Sequence, residues 1–381
     1  MRVGPNSILP PKPVVGQVKL APAYSALTTI TLLEHFEESA DLGEWVIRTL
    51  AKLDRETVGK QNIISWGLGA ETLANAIELD PTEHDFTAYL KALELADPVK
   101  LRDRIWHYRI NSSHMRVFID SAGKVIPADL IKDKERFVHF FTNFVKGEGV
   151  KGAIPAKVYE RTFDLLQNPQ RLQRFLVNHL SMLWESYLAA EWAQIRPTLQ
   201  EVVDAFQKVN LDNLPVFEMI QKVTRRDLRT IFNEEELLKF NQILFIPSVH
   251  NGPYIMWTGD EDTLRLTFSA HLPPGQITGR TGSSSKLNHT DLLNRFKALA
   301  DENRIKILEL LRDEGKLSTQ EVMERLQLSK SAASRHLRQL RANSIIDEIR
   351  AADGVKKFYQ LNSRNGEEIL TGLATLLGSH N

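Results

Sequence analysis

Residues 329–342 read SKSAASRHLRQLRA, and this stretch decides the C-terminal fold. Ala333, Leu337 and Leu340 recur at i, i+4 and i+7, which places them on one side of a helix. Lys330, Ser331, Ser334, Arg335, Arg338 and Arg341 fall on the other faces, and Ser329 before them is a residue type that caps helix N-termini. Toward the N-terminus, Leu292, Leu293, Phe296 and Leu299 make one apolar helix face. Asp301 then offers an N-cap for a second helix, with Ile305, Leu308 and Leu311 inward and Gly315 at its end. Ser318 or Thr319 opens a third helix, with Val322, Met323 and Leu326 inward and no clean capping partner. Toward the C-terminus, strands are expected over Ile345–Arg350 and Val355–Leu361, joined by an Asp353-Gly354 turn. Helix, helix, short helix, tight connection, helix and β-hairpin is the layout of a winged helix-turn-helix.

The chemistry of these residues fits double-stranded DNA. Between Glu324 and Asp347 stand Arg325, Lys330, Arg335, Arg338 and Arg341, with no acid among them. A helix entering the major groove needs small polar side chains near its N-terminus, and Ser331, Ala332 and Ser334 supply them. The arginines reach guanine edges or phosphates, and the helix N-terminus near Ser329 favours a phosphate. Thr319 opens the preceding helix and joins the contact set. Arg350, Lys356 and Lys357 on the hairpin suit phosphates or the adjacent minor groove. Few aromatic residues lie here, which argues against a reader of single strands by base stacking.

The stretch ALADENRIKILELL, with LSTQEVMERLQLSKSAASRHLRQLRANSIIDEIRAADGVKKFYQLN after it, resembles the ArsR-type winged-helix repressors. The resemblance runs from Leu292 to Asn362, under a fifth of the chain, and its most specific part is Ser334-Arg335-His336-Leu337. It implies a homodimer on a partly palindromic operator, controlled by an effector. It also implies that Lys330, Ser331, Ser334, Arg335 and His336 lie at the groove and Lys356 near the wing. The metal-sensing branches of that family depend on cysteines in the third helix or on paired Asp and His in the last one. The third helix here reads KLSTQEVMERL, and the last, Glu367 to Leu377, offers Ile369, Leu370, Leu373, Leu376 and Leu377, a face suited to dimer packing; His380 lies beyond it. No metal ligand and no cofactor is expected.

Composition places this module within a larger chain. The 381 residues are 42% hydrophobic and 25% charged, as in a globular protein of two or three domains. With no cysteine, disulfides, thiolate metal sites and thiol nucleophiles are excluded. The 48 basic and 48 acidic residues cancel, but the segment from Lys286 onward holds 16 against 13, a net of +3 that leaves −3 elsewhere. Residues 271–288, HLPPGQITGRTGSSSKLN, read as a flexible linker between a body at 14–270 and the reader at 289–381. Residues 1–13, with four prolines and no apolar run, read as an extended arm rather than a signal peptide. No run of 18 apolar residues occurs, so no membrane contact and a cytoplasmic location are expected.

The expected fold class is α+β, mainly α, with a small antiparallel sheet in the body. Helical spacing dominates from Tyr24 to Asp227, with breaks at Asp80-Pro81, Asp97-Pro98, Gly147–Gly152, Asn168-Pro169, Arg196-Pro197 and Leu214-Pro215. Strands are expected over Gln17–Pro22, Gln242–Pro247, Tyr254–Thr258 and Thr263–Ala270. No catalytic signature is present, and no catalytic residue is assigned. Gly67-Leu68-Gly69 lacks the third glycine of a nucleotide fingerprint; Glu34, His35, Glu37 and Glu38 read as a solvated helix face, and His179 as a core histidine. Ser248, His250 and Tyr254, beside tight backbone at Asn251-Gly252-Pro253, are the candidate effector-binding residues. The whole is expected to be a transcriptional regulator and not an enzyme. An N-terminal enzyme, or a protein-interaction scaffold, with an appended DNA-binding module stays as the alternative.

Overall fold

The computed structural model describes residues 14–34, 42–111, 128–147, 154–229, 231–260, 262–273, 289–350 and 357–377. The expected arm at 1–13, His35, Glu37, Glu38, Lys356, the Asp353-Gly354 turn and His380 lie outside them. The body opens with strand β1 (Val15–Val18) and helix α1 (Pro22–Leu32), whose residues Ala23 to Ile30 are all buried, as suits a central helix. Next come α2 (Glu44–Leu50) and α3 (Arg55–Asn62), the latter capped by Asp54, which accepts the Thr57 N–H at 2.7 Å. A π-helical turn, Ile63–Gly69, and a 3-10 turn, Ala70–Asn75, follow. Helices α4 (Phe86–Leu95), α5 (Pro98–Asn111), α6 (Lys134–Gly147), α7 (Ala156–Leu166) and α8 (Pro169–Leu183) build the larger core. A second π turn, Trp184–Leu188, leads into α9 (Ala189–Phe206), and α10 (Val216–Thr224) and α11 (Glu234–Leu237) follow.

Pro197 lies inside α9 and does not break it, contrary to the sequence expectation. The carbonyl it frees belongs to Ala193, on an exposed stretch where water can satisfy it.

Strands β2 (Gln242–Ser248), β3 (Met256–Gly259) and β4 (Thr263–Ser269) join β1 in the order β1-β2-β4-β3. The expected antiparallel sheet is instead mixed: β1 and β2 pair in parallel, β2 and β4 pair in parallel, and only β3 runs antiparallel to β4. The strand β3 takes the edge beyond β4, so β4 lies beside β2 in the same direction. The expectation failed because β4 alternates in sequence yet is covered on both faces. Leu264, Leu266 and Phe268 join Ile243, Phe245 and Val18 in one core against α10, while Ile246 enters the other core on the opposite face. Arg265, which alternation would expose, is 5% accessible and ion-pairs with Asp260 at 2.8 Å. β1 starts two residues earlier than expected, and Gly16 there lets α10 come close: a Cβ would stand 2.2 Å from the Met219 sulfur.

The body also ends later than expected. His271 is buried edge-on against Phe206 and Phe268, and Leu272 accepts a hydrogen bond from Arg225 at 2.9 Å, so 271–273 pack instead of linking. The rest of the expected linker lies outside the described residues.

The C-terminal domain contains α12 (His289–Leu299), α13 (Glu302–Glu314), β5 (Lys316–Ser318), α14 (Thr319–Leu326) and α15 (Lys330–Ala342). It ends with β6 (Ile346–Arg350), β7 (Lys357–Leu361) and α16 (Ser363–Leu376). The fold class is α+β, and this order is that of a winged helix-turn-helix, with a three-stranded antiparallel sheet β5-β7-β6. Ala333, Leu337 and Leu340 are fully buried with Ile307, Leu311 and Val322. Ile305, expected inside, is 40% exposed, and Leu293 is exposed as well. The inward stripe of α13 includes Arg304, whose guanidinium turns in to meet the carbonyls of Lys297 and Ala298 and the side chain of Gln339. That choice rotates Ile307 inward and Ile305 out. Among the described residues no helix is long and apolar enough to cross a membrane.

Candidate nucleic-acid interface

The turn between α14 and α15 is built by capping groups. Ser318 and Glu321 form a reciprocal capping box at the start of α14: the Ser318 hydroxyl accepts the Glu321 N–H, and the Glu321 carboxylate accepts the Ser318 N–H at 2.7 Å. The cap that looked incomplete in sequence is therefore complete. At the other end Gln327 adopts a left-handed conformation, φ 52°, which turns the chain sharply toward Ser329. Ser329 caps α15 by accepting the Ala332 N–H at 3.2 Å, and its hydroxyl lies 3.0 Å from that of Ser331.

The buried stripe of α15 fixes which face stays outside. Ser329, Lys330 and Arg338 are exposed, and Ser331, Ser334 and Arg335 are half-buried. These residues share one surface, with hydroxyls at the N-terminal end and cations alongside. Arg338 stands in the field of Arg341, and desolvation with that repulsion lowers its guanidinium pKa, a cost that an anionic partner would relieve.

Other expected contacts are engaged inside the domain. His336 is 4% exposed and its Nδ1 faces Asp301 at 3.6 Å, so it supports the packing of α15 and does not reach a groove. Burial tends to raise the Asp301 carboxyl, but the Arg304 N–H, its guanidinium and His336 outweigh it and hold that pKa low. Arg325 pairs with Glu314 at 2.7 and 3.2 Å. Arg341 and Lys357 both meet the buried Glu348 of β6, Lys357 at 3.2 Å, which ties the helix to the wing. Thr319 lies beside the Tyr359 phenol, whose pKa burial raises. The side chain of Arg350, like Lys356, lies outside the described residues. The acid-free run is thus narrower in space than in sequence: Lys330, Arg335 and Arg338 are its outward part.

In the body, the candidate effector residues do not converge. Ser248 accepts the His250 N–H at 3.1 Å, and Tyr254 is held through its backbone by Asn251. The His250 ring turns away to Trp45, at 4.9 Å between centroids, and to Glu191 at 3.6 Å. Trp45 and Glu191 were missed in sequence, although Leu188, Glu191, Trp192 and Ile195 have the spacing of one helix face. Gly67 serves packing, since a Cβ there would stand 1.9 Å from the Thr162 hydroxyl. Glu34, read as solvated, has its carboxyl pushed up to about 8, chiefly by burial and further by Glu71, with Ser65 opposing. His179 is buried, 3.2 Å from Gln61. Among the described residues no group of three or more His, Asp or Glu could hold a metal ion.

Residues 301–347 match the family model of bacterial regulatory proteins of the arsR family. The chain is 43% identical over 68 residues to the transcriptional activator HlyU of Vibrio cholerae serotype O1, strain ATCC 39315 / El Tor Inaba N16961. That match takes in 18% of this chain and 60% of HlyU, so the chain spans somewhat over half the length of the curated relative. Among solved structures, reduced HlyU from Vibrio cholerae N16961 matches at 34% identity, over 23% of this chain and 87% of that one, with a TM-score of 0.19. Capped turn, buried Ala-Leu-Leu stripe and outward serine-arginine face coincide with the matched segment, and residues 301–347 are an ArsR-family helix-turn-helix domain.

Proposed function

We propose that the chain is a transcriptional regulator that binds duplex DNA as a homodimer, with α15 in the major groove and the wing beside it. The observation that carries this reading is the outward face of α15: Lys330, Ser331, Ser334, Arg335 and Arg338 on one rigid helix whose opposite side is fully buried. Small hydroxyl side chains let the helix approach base edges, and the cations answer phosphates or guanines. The dimer is supported by α16, where Leu370 and Leu376 stand exposed with Leu377 just beyond, and by Leu293, exposed on the adjoining α12. Two such helices must sit about 34 Å apart to enter successive major grooves.

Modulation by the body is supported at the C-terminal end of α15. The Arg226 guanidinium meets the Ser344 hydroxyl, next to the helix cap at Asn343. Around this contact Thr224 and Arg225 of the body face Asn294, Arg295 and Asn343 across a narrow crevice. A movement of the body is thereby transmitted to the helix that reads DNA, and an effector acts by preferring one arrangement. The family resemblance implies repression, whereas the matched relative is named an activator. The sign follows from where the operator lies relative to the promoter.

The test is selection of genomic fragments by the full chain, followed by gel shift at increasing salt. A specific complex that weakens with salt is expected, and weakens further in the Arg335→Ala, Arg338→Ala double variant. No specific complex at any salt, or undiminished binding by the variant, would overturn the reading.

A further inference from the structure

Helix α15 ends in a Schellman motif. The Ser344 N–H returns to the Arg341 carbonyl at 2.8 Å, and the Ile345 N–H returns to the Leu340 carbonyl at 2.9 Å. The motif turns on one left-handed residue, here Ser344 at φ 56°, a position that helices commonly give to glycine or asparagine. A serine Cβ disfavours that backbone. What the side chain gains there is a partner outside the domain: the Ser344 hydroxyl accepts from the Arg226 guanidinium of the body.

Arg226 is held at a fixed point of the body. It follows Arg225, a left-handed residue at φ 58° that caps α10. The Arg226 N–H donates to the hydroxyl of the buried Thr224 at 3.2 Å. Its guanidinium also reaches the Pro253 carbonyl at 3.4 Å, in the loop 248–254 whose candidate effector side chains diverge. Inside the reader the path continues from Ser344 to its neighbour Asn343, which is 1% exposed and donates to the Gln339 carbonyl at 2.9 Å. The Gln339 side chain accepts from Arg304, and Arg304 donates to the Lys297 carbonyl at 3.0 Å, in the last turn of α12. Hydrogen bonds thus run from α10 of the body through the end of α15 to α12.

With the body so docked, Ser329, Lys330 and Arg338 stay exposed, and so do Leu293 of α12 and Leu370 of α16. The body covers neither the proposed DNA face nor the proposed dimer face, so the docked arrangement is open to both partners. We propose that Arg226 is a positioning residue for DNA reading: its grip on Ser344 fixes the C-terminal end of α15, and the docked body is the operator-binding state. Release of the grip is then the off state. The proposal rests on the regulator reading and adds a direction to it. A helix ordered before DNA arrives loses less freedom on binding, and Arg226 achieves this without touching a phosphate.

The test compares full-chain variants by fluorescence anisotropy on the selected operator at several salt concentrations. Arg226→Ala and Ser344→Gly should each weaken binding roughly tenfold. The double variant should bind no more weakly than either single one, because both changes remove the same contact. The salt slope should stay that of the wild type, since no phosphate contact is lost. Ser344→Gly should melt no lower than the wild type, because glycine suits the left-handed backbone. Lower affinity without lower stability is an outcome that a merely structural serine would not give. Wild-type affinity in either variant, additive losses, or a shallower slope in Arg226→Ala would overturn the proposal. If Arg226→Ala does not fold, Ser344→Gly decides alone. A wild type with no specific complex sinks the regulator reading and this proposal with it, whereas variants that match a binding wild type sink the proposal alone.

Discussion

Lys330 and Arg335 differ from Arg341 in what surrounds them, and that difference predicts separable phenotypes. Lys330→Ala and Arg335→Ala remove outward charges and leave the core intact. Gel shifts should show weaker binding and a shallower salt dependence, with the melting temperature unchanged. Glu348→Gln does the reverse, because Glu348 is buried beneath Arg341 and Lys357. It should destabilise the winged helix by about 1–3 kcal/mol in a denaturant titration. Its salt slope should stay that of the wild type, and a flattened slope would show Arg341 to be a phosphate contact. Sequence spacing placed the cations on α15 correctly but could not show which of them meet acids from other elements. His336 was misread for the same reason, since Asp301 lies 35 residues away in the chain and faces it in space. His179 carries a pH prediction. Burial, helped by Lys60, pulls its pKa from the usual 6.5 to about 4. The unfolded chain therefore binds a proton across pH 4–6.5 that the folded chain refuses, and stability falls as pH drops through that window. The loss is up to about 1.4 kcal/mol per pH unit. Denaturation of His179→Gln followed from pH 7 to 4.5 should lack this contribution, and a variant with the full acid sensitivity of the wild type would refute it.

Elements with strong local signals were legible, and those defined by partners were not. The α15 stripe, its Ser329 cap and the wing strands follow from spacing, capping chemistry and turn residues within a few positions of one another. The Ser318–Glu321 capping box is equally local, although its pairing looked incomplete in the sequence, and Ser318→Ala should cost about 0.5–2 kcal/mol in thermal or chemical melts. An unchanged melt would mean that Glu321 and solvent compensate. By contrast, β4 alternates like a half-solvated strand, yet Arg265 and Thr267 are covered by the helices behind it. Nothing local to residues 263–269 announces that cover, so neither the parallel pairing nor the second buried face could be read. The short β5 was likewise unreadable, because three residues, Lys316–Ser318, become a strand only through β7. The π turns replace the regular period by a longer one, which blurs the pattern from which helices are read.

At the scale of the molecule, the zero net charge conceals a basic reader joined to an acidic, aromatic-rich body that holds 27 of the 30 aromatic residues. Leu370 and Leu376 are exposed on α16, so replacing both with Asp should leave the fold intact. Sedimentation should then show a dimer for the wild type and a monomer for the variant, with operator affinity lost in step. A wild type that binds its operator as a monomer would remove the dimer from the account. The central claim is that α15 reads duplex DNA through its outward face, and fluorescence anisotropy on the selected operator tests it most directly. Measured from about 50 to 200 mM salt, log affinity should fall linearly with log salt, by about 0.9 per phosphate contact. The Lys330→Ala, Arg335→Ala double variant should bind more weakly and with a shallower slope. Salt-independent binding, or a double variant that matches the wild type in affinity and slope, would contradict the account.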